Sequence, residues 1–547
     1  MSMMADTLRL DSAGDYPSDE KHAGDNSHYV AADDVQKATS KEHELTVRQG
    51  LKAYPKAIAW SVLLSTAVVM EGYDTILIGS YLGFPSFNNT FGNQVVDGSP
   101  SITAPWQAAV TNGAYIGEIL GLAMTGYLVD WYGNKRVMTG ATVLMIAFIF
   151  ISFFGKSLGV QLLGQILCGI PWGAYQTVTT VYASEVMPAN LRGYLTSYVN
   201  LCWVIGQFIA SGVLVGVEGR TDQWGWRIPF AVQWVWPIPI ILVCIFCPES
   251  PTWLVEHERN DEAELAVRRL QSGRVGMNIP TPQETVALLA ETHAIEKRLT
   301  SGVGYLECFK GTNLRRTEIS VGTWTVQQMC GPVLQTYSIY FFEQAGLAES
   351  EAFNMNLGLY AIAFVGTVLS WPMINHFGRR TIFLWGLAAI FISLMIVGFI
   401  GLAPSTNTGA SWAVGAFLLI YTLIYDSTIG PLTYVIVPEA PSSRLRHKTT
   451  VLARNMYNVT CIWTGVITPY MLNSTAWNWG PKAGFFWAGC SALCLIWAFF
   501  RLPETKGLTF AELDLLYENK VPTRKFKDAR PDMTRQAPAV VVDEKHS

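Results

Sequence analysis

The chain has 547 residues, of which 50% are hydrophobic and 15% charged, and its formal net charge is -4. With a mean hydropathy of +0.25, this composition indicates a protein that crosses a membrane many times rather than a set of soluble domains. The balanced charge predicts no nucleic-acid partner. Cys244 and Cys247 have C-x-x-C spacing but lack a second pair or a nearby histidine, so no metal site and no disulfide framework are predicted.

Twelve apolar runs, each long enough to cross a bilayer, follow an acidic tail at residues 1–50. The tail has no apolar run and is expected to be disordered and cytoplasmic, without a cleavable signal peptide, so the first span directs insertion. The predicted spans cover residues 57–81, 106–129, 136–155, 159–184, 195–217, 226–247, 318–343, 353–374, 381–402, 411–437, 450–472 and 481–501.

A long charged stretch after the sixth span divides the apolar runs into two sets of six. Helical patterning in Asp261–Leu270 and Pro282–Leu299 predicts a cytoplasmic bundle of amphipathic helices there. The predicted organisation is an N-terminal half at 51–247, a cytoplasmic helical linker at 248–317, a C-terminal half at 318–502 and a cytoplasmic tail at 503–547.

Basic residues fall in alternate loops between the spans. By the positive-inside rule, those loops and both chain ends are expected to be cytoplasmic. The basic positions are Lys135, Arg136, Arg192, residues 259–316, Arg379, Arg380 and residues 444–448.

Two loop motifs recur six spans apart, which indicates an internal duplication of the kind common in transporters. The repeated residues are Asp130 and Arg136 after the second span, Arg379 and Arg380 after the eighth, Glu185 and Arg192 after the fourth, and Glu439 and Arg444 after the tenth. Acidic and basic groups at helix ends are expected to lock the halves in one state and release them in another. The alternative is that the basic residues only obey the positive-inside rule.

The first span contains two carboxylates, Glu71 and Asp74, three residues apart and therefore on one face of a helix. A carboxylate at the centre of a bilayer costs roughly 2.5 to 3.5 kcal/mol, so such residues usually mark an ion or substrate pathway. The alternative for each is a hydrogen-bonded structural role.

Four further motifs resemble those of the sugar porter family of the major facilitator superfamily, over nearly the whole chain from Ala57 to Leu516. They are Pro248-Glu249-Ser250-Pro251-Thr252-Trp253-Leu254, Gln327-Gln328-x-x-Gly331, Gly430-Pro431-x-x-Tyr434 and Pro503-Glu504-Thr505-Lys506-Gly507. The first span, with its Gly72-Tyr73-Asp74, is similar to that of fungal α-glucoside (maltose-type) permeases, which are proton symporters of the plasma membrane. The resemblance adds Glu249 and Glu504 to the expected gating residues.

One departure from this family concerns Asp74. Many proton-coupled members pair the equivalent aspartate with an arginine in span four, where this chain has Gln165. We therefore expect Glu71, Asp74 and Glu118 to form a carboxylate cluster in which burial and mutual repulsion keep at least one group protonated. Arg454 is the expected cation that competes with the proton. Asp426 in span ten is a further buried acid with either a coupling or a structural role.

The resemblance also implies a set of sugar-binding residues, whose amides and rings suit sugar hydroxyls and C–H faces. These are Asn200, Gln207, Gln327, Gln328, Tyr337, Tyr434 and Tyr457. Asn200, Val333, Tyr434 and Tyr457 each differ from the usual hexose pattern of Gln, Asn, Trp and Asn, which favours a substrate other than a simple hexose. The alternative for any one of them is a polar contact between two helices.

The sequence thus predicts an all-α transporter that imports α-linked disaccharides such as maltose, trehalose or sucrose by alternating access. The proton is the expected coupling ion and no other cofactor is predicted. The protein is expected to be a plasma-membrane monomer whose partners are the sugar and the lipid bilayer. It is not expected to be an enzyme, because no phosphate loop and no nucleophile–base pattern occur. The alternatives are an uncoupled hexose facilitator and a sugar sensor that does not transport.

Overall fold

The computed structural model of the protein describes residues 47–526 except 97, 188, 273–278, 301–303, 405–406, 443–444, 507–512 and 514–515. Residues 1–46 of the predicted tail at 1–50 and most of the tail at 503–547 lie outside these residues. Residues 47–50, which were predicted to be disordered, are helical. Within them the chain is almost entirely helical. One short antiparallel hairpin, β1 (Gln94–Val96) and β2 (Ser99–Ser101), pairs Val95 with Pro100.

Six helical segments form the N-terminal half at the predicted positions. A short helix α1 (Val47–Ala53) precedes the first span, and another, α3 (Pro85–Phe91), follows it. The spans are α2 (Pro55–Tyr81), α4 (Ala104–Tyr132), α5 (Asn134–Phe154), α6 (Leu158–Glu185), α7 (Ala189–Val217) and the pair α8 (Trp224–Val232) and α9 (Pro237–Phe246).

The predicted linker is a small helical bundle. It contains α10 (Pro251–Glu256), α11 (Asn260–Leu270) and α12 (Pro282–Thr300), joined by an apolar cluster around Trp253 and Leu254. The indole N–H of Trp253 donates to the backbone oxygen of Asp130 over 3.3 Å. This bond holds the bundle against the end of α4.

The C-terminal half repeats the arrangement with two broken spans. Span seven consists of α13 (Gly311–Met329), α14 (Val333–Thr336) and α15 (Ser338–Gln344), and spans eight and nine are α16 (Glu349–His376) and α17 (Arg379–Ile400). Span ten consists of α18 (Thr408–Ser427) and α19 (Ile429–Glu439), and spans eleven and twelve are α20 (Arg446–Leu472) and α21 (Ala483–Arg501).

The breaks in the spans lie where proline and glycine interrupt the helical hydrogen bonds. Span seven breaks at Gly331-Pro332, where Gly331 has a φ of 105° that side chains with a Cβ rarely adopt. Side chains bond backbone oxygens near these breaks: Tyr421 Oη donates to Cys330 O over 3.3 Å, and Gln327 Nε2 donates to Gly430 O over 3.0 Å. Polar side chains thus compensate for lost backbone bonds inside the membrane region.

Eight helical segments of the described chain are long and apolar enough to cross a membrane by length and composition alone. The other four predicted spans (α4, α6, α13–α15 and α20) carry polar side chains that point into the protein, among them Glu118, Gln176, Gln327 and Arg454. These four spans are therefore less apolar than the other eight because their polar side chains line the interior of the protein.

Helices α2 and α7 cross at glycines that allow their backbones to touch. A Cβ on Gly72 would overlap the backbone oxygen of Trp203, and a Cβ on Gly206 would overlap the backbone oxygen of Val69. Small residues at such crossings are the usual means of close helix packing in membranes. Because Glu71 directly precedes Gly72, the crossing also places Trp203 beside Glu71.

The two halves meet tightly at the end of the molecule that carries the β-hairpin. Asn473 Nδ2 donates to Ile102 O over 3.1 Å, and Thr475 Oγ1 donates to Gln94 Oε1 over 3.1 Å. The backbone of Gly79 lies against that of Thr336. The described conformation is closed at this end.

The α2–α7 crossing predicts a large cost for one methyl group. Gly72→Ala should destabilise the protein by about 1 to 3 kcal/mol, because the added Cβ forces the two helices apart. Thermal unfolding of the purified protein in detergent measures this. Gly140→Ala is the matched control, since no atom lies within 4 Å of that Cβ position. Equal melting temperatures for the two variants would contradict the close approach.

Candidate functional site

Two adjoining cavities lie between the halves of the molecule. The smaller, with an empty volume of about 420 Å³, is lined by Glu71, Asp74, Glu118 and Arg454, and we call it the carboxylate cavity. The larger, of about 770 Å³, is lined mainly by amides and tyrosines, and we call it the polar cavity. Thr111, Tyr115, Trp203 and Tyr457 line both.

Glu71 on α2 is buried, with 1% of its surface exposed, and it accepts two hydrogen bonds on one oxygen. Gln176 Nε2 from α6 and Trp203 Nε1 from α7 both donate to Oε1, the latter over 3.1 Å. No polar group of the described chain bonds its Oε2. Neutral donors thus hold Glu71 in place and leave one oxygen free to carry a proton.

Glu118 and Arg454 form an ion pair across the two halves. Arg454 Nη2 on α20 lies 3.3 Å from Glu118 Oε1 on α4, and it also donates to Gln176 Oε1. The guanidinium packs over the rings of Tyr457 and Trp324, at 4.4 and 4.9 Å from their centroids. Gln176 therefore links Glu71 to the ion pair, because its two amide atoms bond one group each.

Asp74 is held separately from the other charges. Gln233 Nε2, next to the break between α8 and α9, donates to Asp74 Oδ1. Its Oδ2 has no hydrogen-bond partner in the described part of the chain, and Gln165 lines the same cavity. The partner of Asp74 is thus the neutral amide of Gln233, and the expected arginine position in span four is occupied by Gln165.

All seven predicted sugar-binding residues line the polar cavity: Asn200, Gln207, Gln327, Gln328, Tyr337, Tyr434 and Tyr457. Val333, which also departs from the hexose pattern, lines it too, as does Asp426 from α18. The cavity combines amide donors and acceptors with aromatic faces, which is the chemistry that a carbohydrate requires.

Sequence reasoning missed three of the residues that bond the carboxylates: Gln176, Trp203 and Gln233. A signal for Gln176 exists, since it lies eleven residues after Gln165 in an apolar run and so falls on the same face of α6. Gln233 likewise stands alone among apolar residues. Trp203 gives no comparable signal, because tryptophan is common in membrane spans.

The predicted gating residues contact groups within their own half. Glu249 Oε1 accepts from the backbone N–H of Lys135 over 3.2 Å, and Glu504 Oε1 accepts from that of Arg379 over 2.8 Å. Each glutamate thus caps the start of a helix, α5 or α17, where a negative charge is favourable. Burial nevertheless raises the pKa of Glu249 above its ordinary value.

The other predicted gating residues differ from one another in their contacts. Arg379 Nη2 lies 3.3 Å from Glu439 Oε1, and Asn134 Nδ2 donates to Glu185 Oε2 over 3.3 Å. Asp130 and Arg136 are exposed, and Arg380 Nη2 donates to Phe499 O. Arg444 and the side chain of Arg192 lie outside the described residues. A lock between the halves at this end stays a prediction.

Comparison with known proteins decides the family. The model of the family described as sugar (and other) transporter matches residues 60–517. The chain belongs to the sugar transporter family. Among curated relatives of this transporter, the general alpha-glucoside permease of Saccharomyces cerevisiae is 42% identical over 513 residues, 93% of this chain and 83% of the relative. A maltose permease of the same species is 40% identical over 523 residues, covering 94% and 84%.

Solved structures identify the fold of this sugar transporter. The partially occluded inward-open xylose transporter XylE from E. coli superposes with a TM-score of 0.68 at 18% identity, over 83% of this chain and all of that chain. XylE as a proton:xylose symporter bound to 6-bromo-6-deoxy-D-glucose gives 0.68 at 21% identity, over 85% and 99%. The predicted fold, twelve transmembrane helices in two pseudo-symmetric halves with a helical linker, is confirmed.

The ion pair across the halves predicts a stability pattern. Arg454→Gln should destabilise the transporter by about 3 to 5 kcal/mol at neutral pH, because it leaves the Glu118 charge buried without a cation. The double variant Arg454→Gln with Glu118→Gln should regain most of this loss. Arg501→Gln, which breaks the partly exposed pair with Glu318, should cost about 1 kcal/mol or less. Thermal unfolding in detergent measures all three, and equal losses at positions 454 and 501 would contradict the buried pair.

Proposed function

We propose that the protein imports α-linked glucose disaccharides, with maltose as the representative substrate, together with protons across the plasma membrane. The observation that carries this proposal is that the polar cavity and the carboxylate cavity share walls. Sugar and proton sites in such contact can influence each other directly. Both termini would be cytoplasmic, and the protein would act as a monomer.

The substrate assignment has three supports. Four positions that differ from the hexose pattern, Asn200, Val333, Tyr434 and Tyr457, all line the polar cavity. Relatives at about 40% identity bear the names alpha-glucoside permease and maltose permease. The volume of about 770 Å³ falls in the ordinary range for a small-molecule site.

Proton coupling is supported by the charges at the centre of the membrane region. A facilitator without a coupling ion has no need to bear the cost of burying Glu71, Asp74 and Glu118. Glu71 and Asp74 each have one oxygen without a hydrogen-bond partner among the described residues, so each has room for a proton. We assign them as proton carriers, with the Glu118–Arg454 pair as the charge that changes partners during transport.

The conformation shows which side of the membrane is closed once the loop between the first two spans is placed outside. In that orientation the described state is closed to the exterior by the contacts of Asn473 and Thr475. Alternating access requires these contacts to break when the site opens outward. They would form again once sugar and proton are bound.

Coupled import predicts that sugar addition makes the medium alkaline. In lightly buffered suspensions of cells expressing the protein, maltose should raise the external pH, because protons enter with the sugar. Trehalose, sucrose and glucose are tested in parallel. Asp74→Asn should abolish the pH change, whereas Asp222→Asn, in an exposed loop, should leave it intact. Labelled maltose uptake without a pH change would favour an uncoupled facilitator instead.

The remodelled cavity predicts a change of specificity. Val333→Asn combined with Tyr434→Trp returns two positions to the usual hexose pattern, so the ratio of glucose to maltose uptake should rise roughly tenfold, as a few new sugar contacts allow. Competition between labelled maltose and unlabelled glucose measures this ratio. Tyr305→Trp, on the exposed stretch before α13, is the control. An unchanged ratio would show that these two positions do not determine the choice between glucose and maltose.

A further inference from the structure

Trp203 stands in the wall that separates the carboxylate cavity from the polar cavity. The residue lines both, and its indole N–H donates to Glu71 Oε1 over 3.1 Å. Three other residues line both cavities: Thr111, Tyr115 and Tyr457. Among the hydrogen bonds of the described residues, only the one from Trp203 runs from this shared wall to a carboxylate.

The backbone leaves the indole little freedom to move away from Glu71. Gly72 packs against the backbone oxygen of Trp203, and Gly206 packs against Val69 one turn further along α7. A displacement of the indole must therefore be a rotation of its side chain. A ligand that presses on the ring from the polar cavity would change the N–H bond before it moved the helices.

The carboxylate that accepts from Trp203 is Glu71, whose protonation depends on the groups around it. Gln176 donates to the same Oε1 and accepts from Arg454, so Glu71 is tied to the ion pair on its other side. The other titratable and charged groups that line the two cavities are Asp74, Tyr115, Glu118, Tyr337, Tyr360, Tyr425, Asp426, Tyr434, Arg454, Tyr457 and Cys461. The indole N–H is thus the donor to Glu71 that comes from the sugar side.

We propose that Trp203 is the positioning residue that couples sugar occupancy to the protonation of Glu71. The N–H bonds the carboxylate when the polar cavity is empty, and a sugar that stacks on the ring face would rotate the ring. An N–H bond favours the ionised carboxylate over the protonated one, so a sugar that turns the ring away would raise the affinity of Glu71 for its proton. By linkage, the proton would raise sugar affinity by the same factor. This inference rests on the proposed proton-coupled import.

The test compares Trp203→Phe with the unmodified protein in liposomes. Labelled maltose flux and proton flux, the latter from a trapped pH dye, are recorded together, and maltose counterflow is measured at equal pH on both sides. Phenylalanine keeps a ring face and lacks the N–H. Counterflow should stay within about threefold. The coupling factor between proton and maltose affinity should fall roughly tenfold, the scale of one charge-assisted hydrogen bond, so fewer protons should move per maltose.

A control and a second variant keep the result decisive. Trp487→Phe removes a buried indole N–H that has no described acceptor and lines neither cavity, so coupling should be unchanged. Maltose affinity should differ between acidic and neutral buffer in the unmodified protein, and Glu71→Gln should remove that difference. This second comparison does not require Trp203→Phe to fold.

Each outcome bears on a stated claim. Trp203→Phe with unchanged coupling would overturn the role of Trp203, as would a folded Trp203→Phe that had lost counterflow, because Trp203 would then only bind sugar. A pH dependence that persists in Glu71→Gln would overturn the link to that carboxylate. An unmodified protein that exchanges maltose without moving protons would overturn the proposed function and this inference with it.

Discussion

The burial of one guanidinium and three carboxylates at the centre of a membrane protein is the constraint on which the rest of this structure depends. Each such group costs roughly 2.5 to 3.5 kcal/mol in an apolar helix unless a partner compensates. Glu118 is compensated by Arg454, whereas Glu71 and Asp74 receive only neutral donors. Neutral donors satisfy an oxygen without fixing its charge. A carboxylate held in this way can change its protonation state without breaking an ion pair, which is what a proton carrier requires.

This arrangement also determines how the two halves relate to each other. The Glu118–Arg454 pair crosses between them, and Gln176 extends it to Glu71, so in this linked group the N-terminal half carries the acids and the C-terminal half the cation. A rocking motion of the halves would change the distance between these charges. The breaks in spans seven and ten supply Pro332 and Gly430 to the polar cavity, and Gln233 at the break in span six bonds Asp74. A movement of the two halves would therefore change both the shape of the cavities and the distances between the buried charges.

The residues of the polar cavity were implied by the resemblance to sugar porters, whereas the sequence itself predicted the spans and the linker helices because these leave clear patterns of hydrophobicity and charge. It predicted the buried charges for the same reason, since each is conspicuous in an apolar run. It did not predict Gln176, Gln233 and Trp203 as their partners, because a polar residue in an apolar run does not show which group it bonds, and each of these partners lies 100 or more residues away. The resemblance placed Glu249 and Glu504 among the gating residues without naming their partners, and in the structure both accept from backbone N–H groups. Backbone donors cannot be recognised from residue types.

The central claim is that the energy of a proton gradient is transferred to the sugar. The most direct measurement is the steady-state concentration of labelled maltose inside liposomes that contain the purified protein, with the lumen more alkaline than the medium and the membrane potential clamped. The account predicts that internal maltose rises above the external concentration, and that a protonophore returns it to equality. Internal maltose that never exceeds the external concentration, at any imposed gradient, would contradict it.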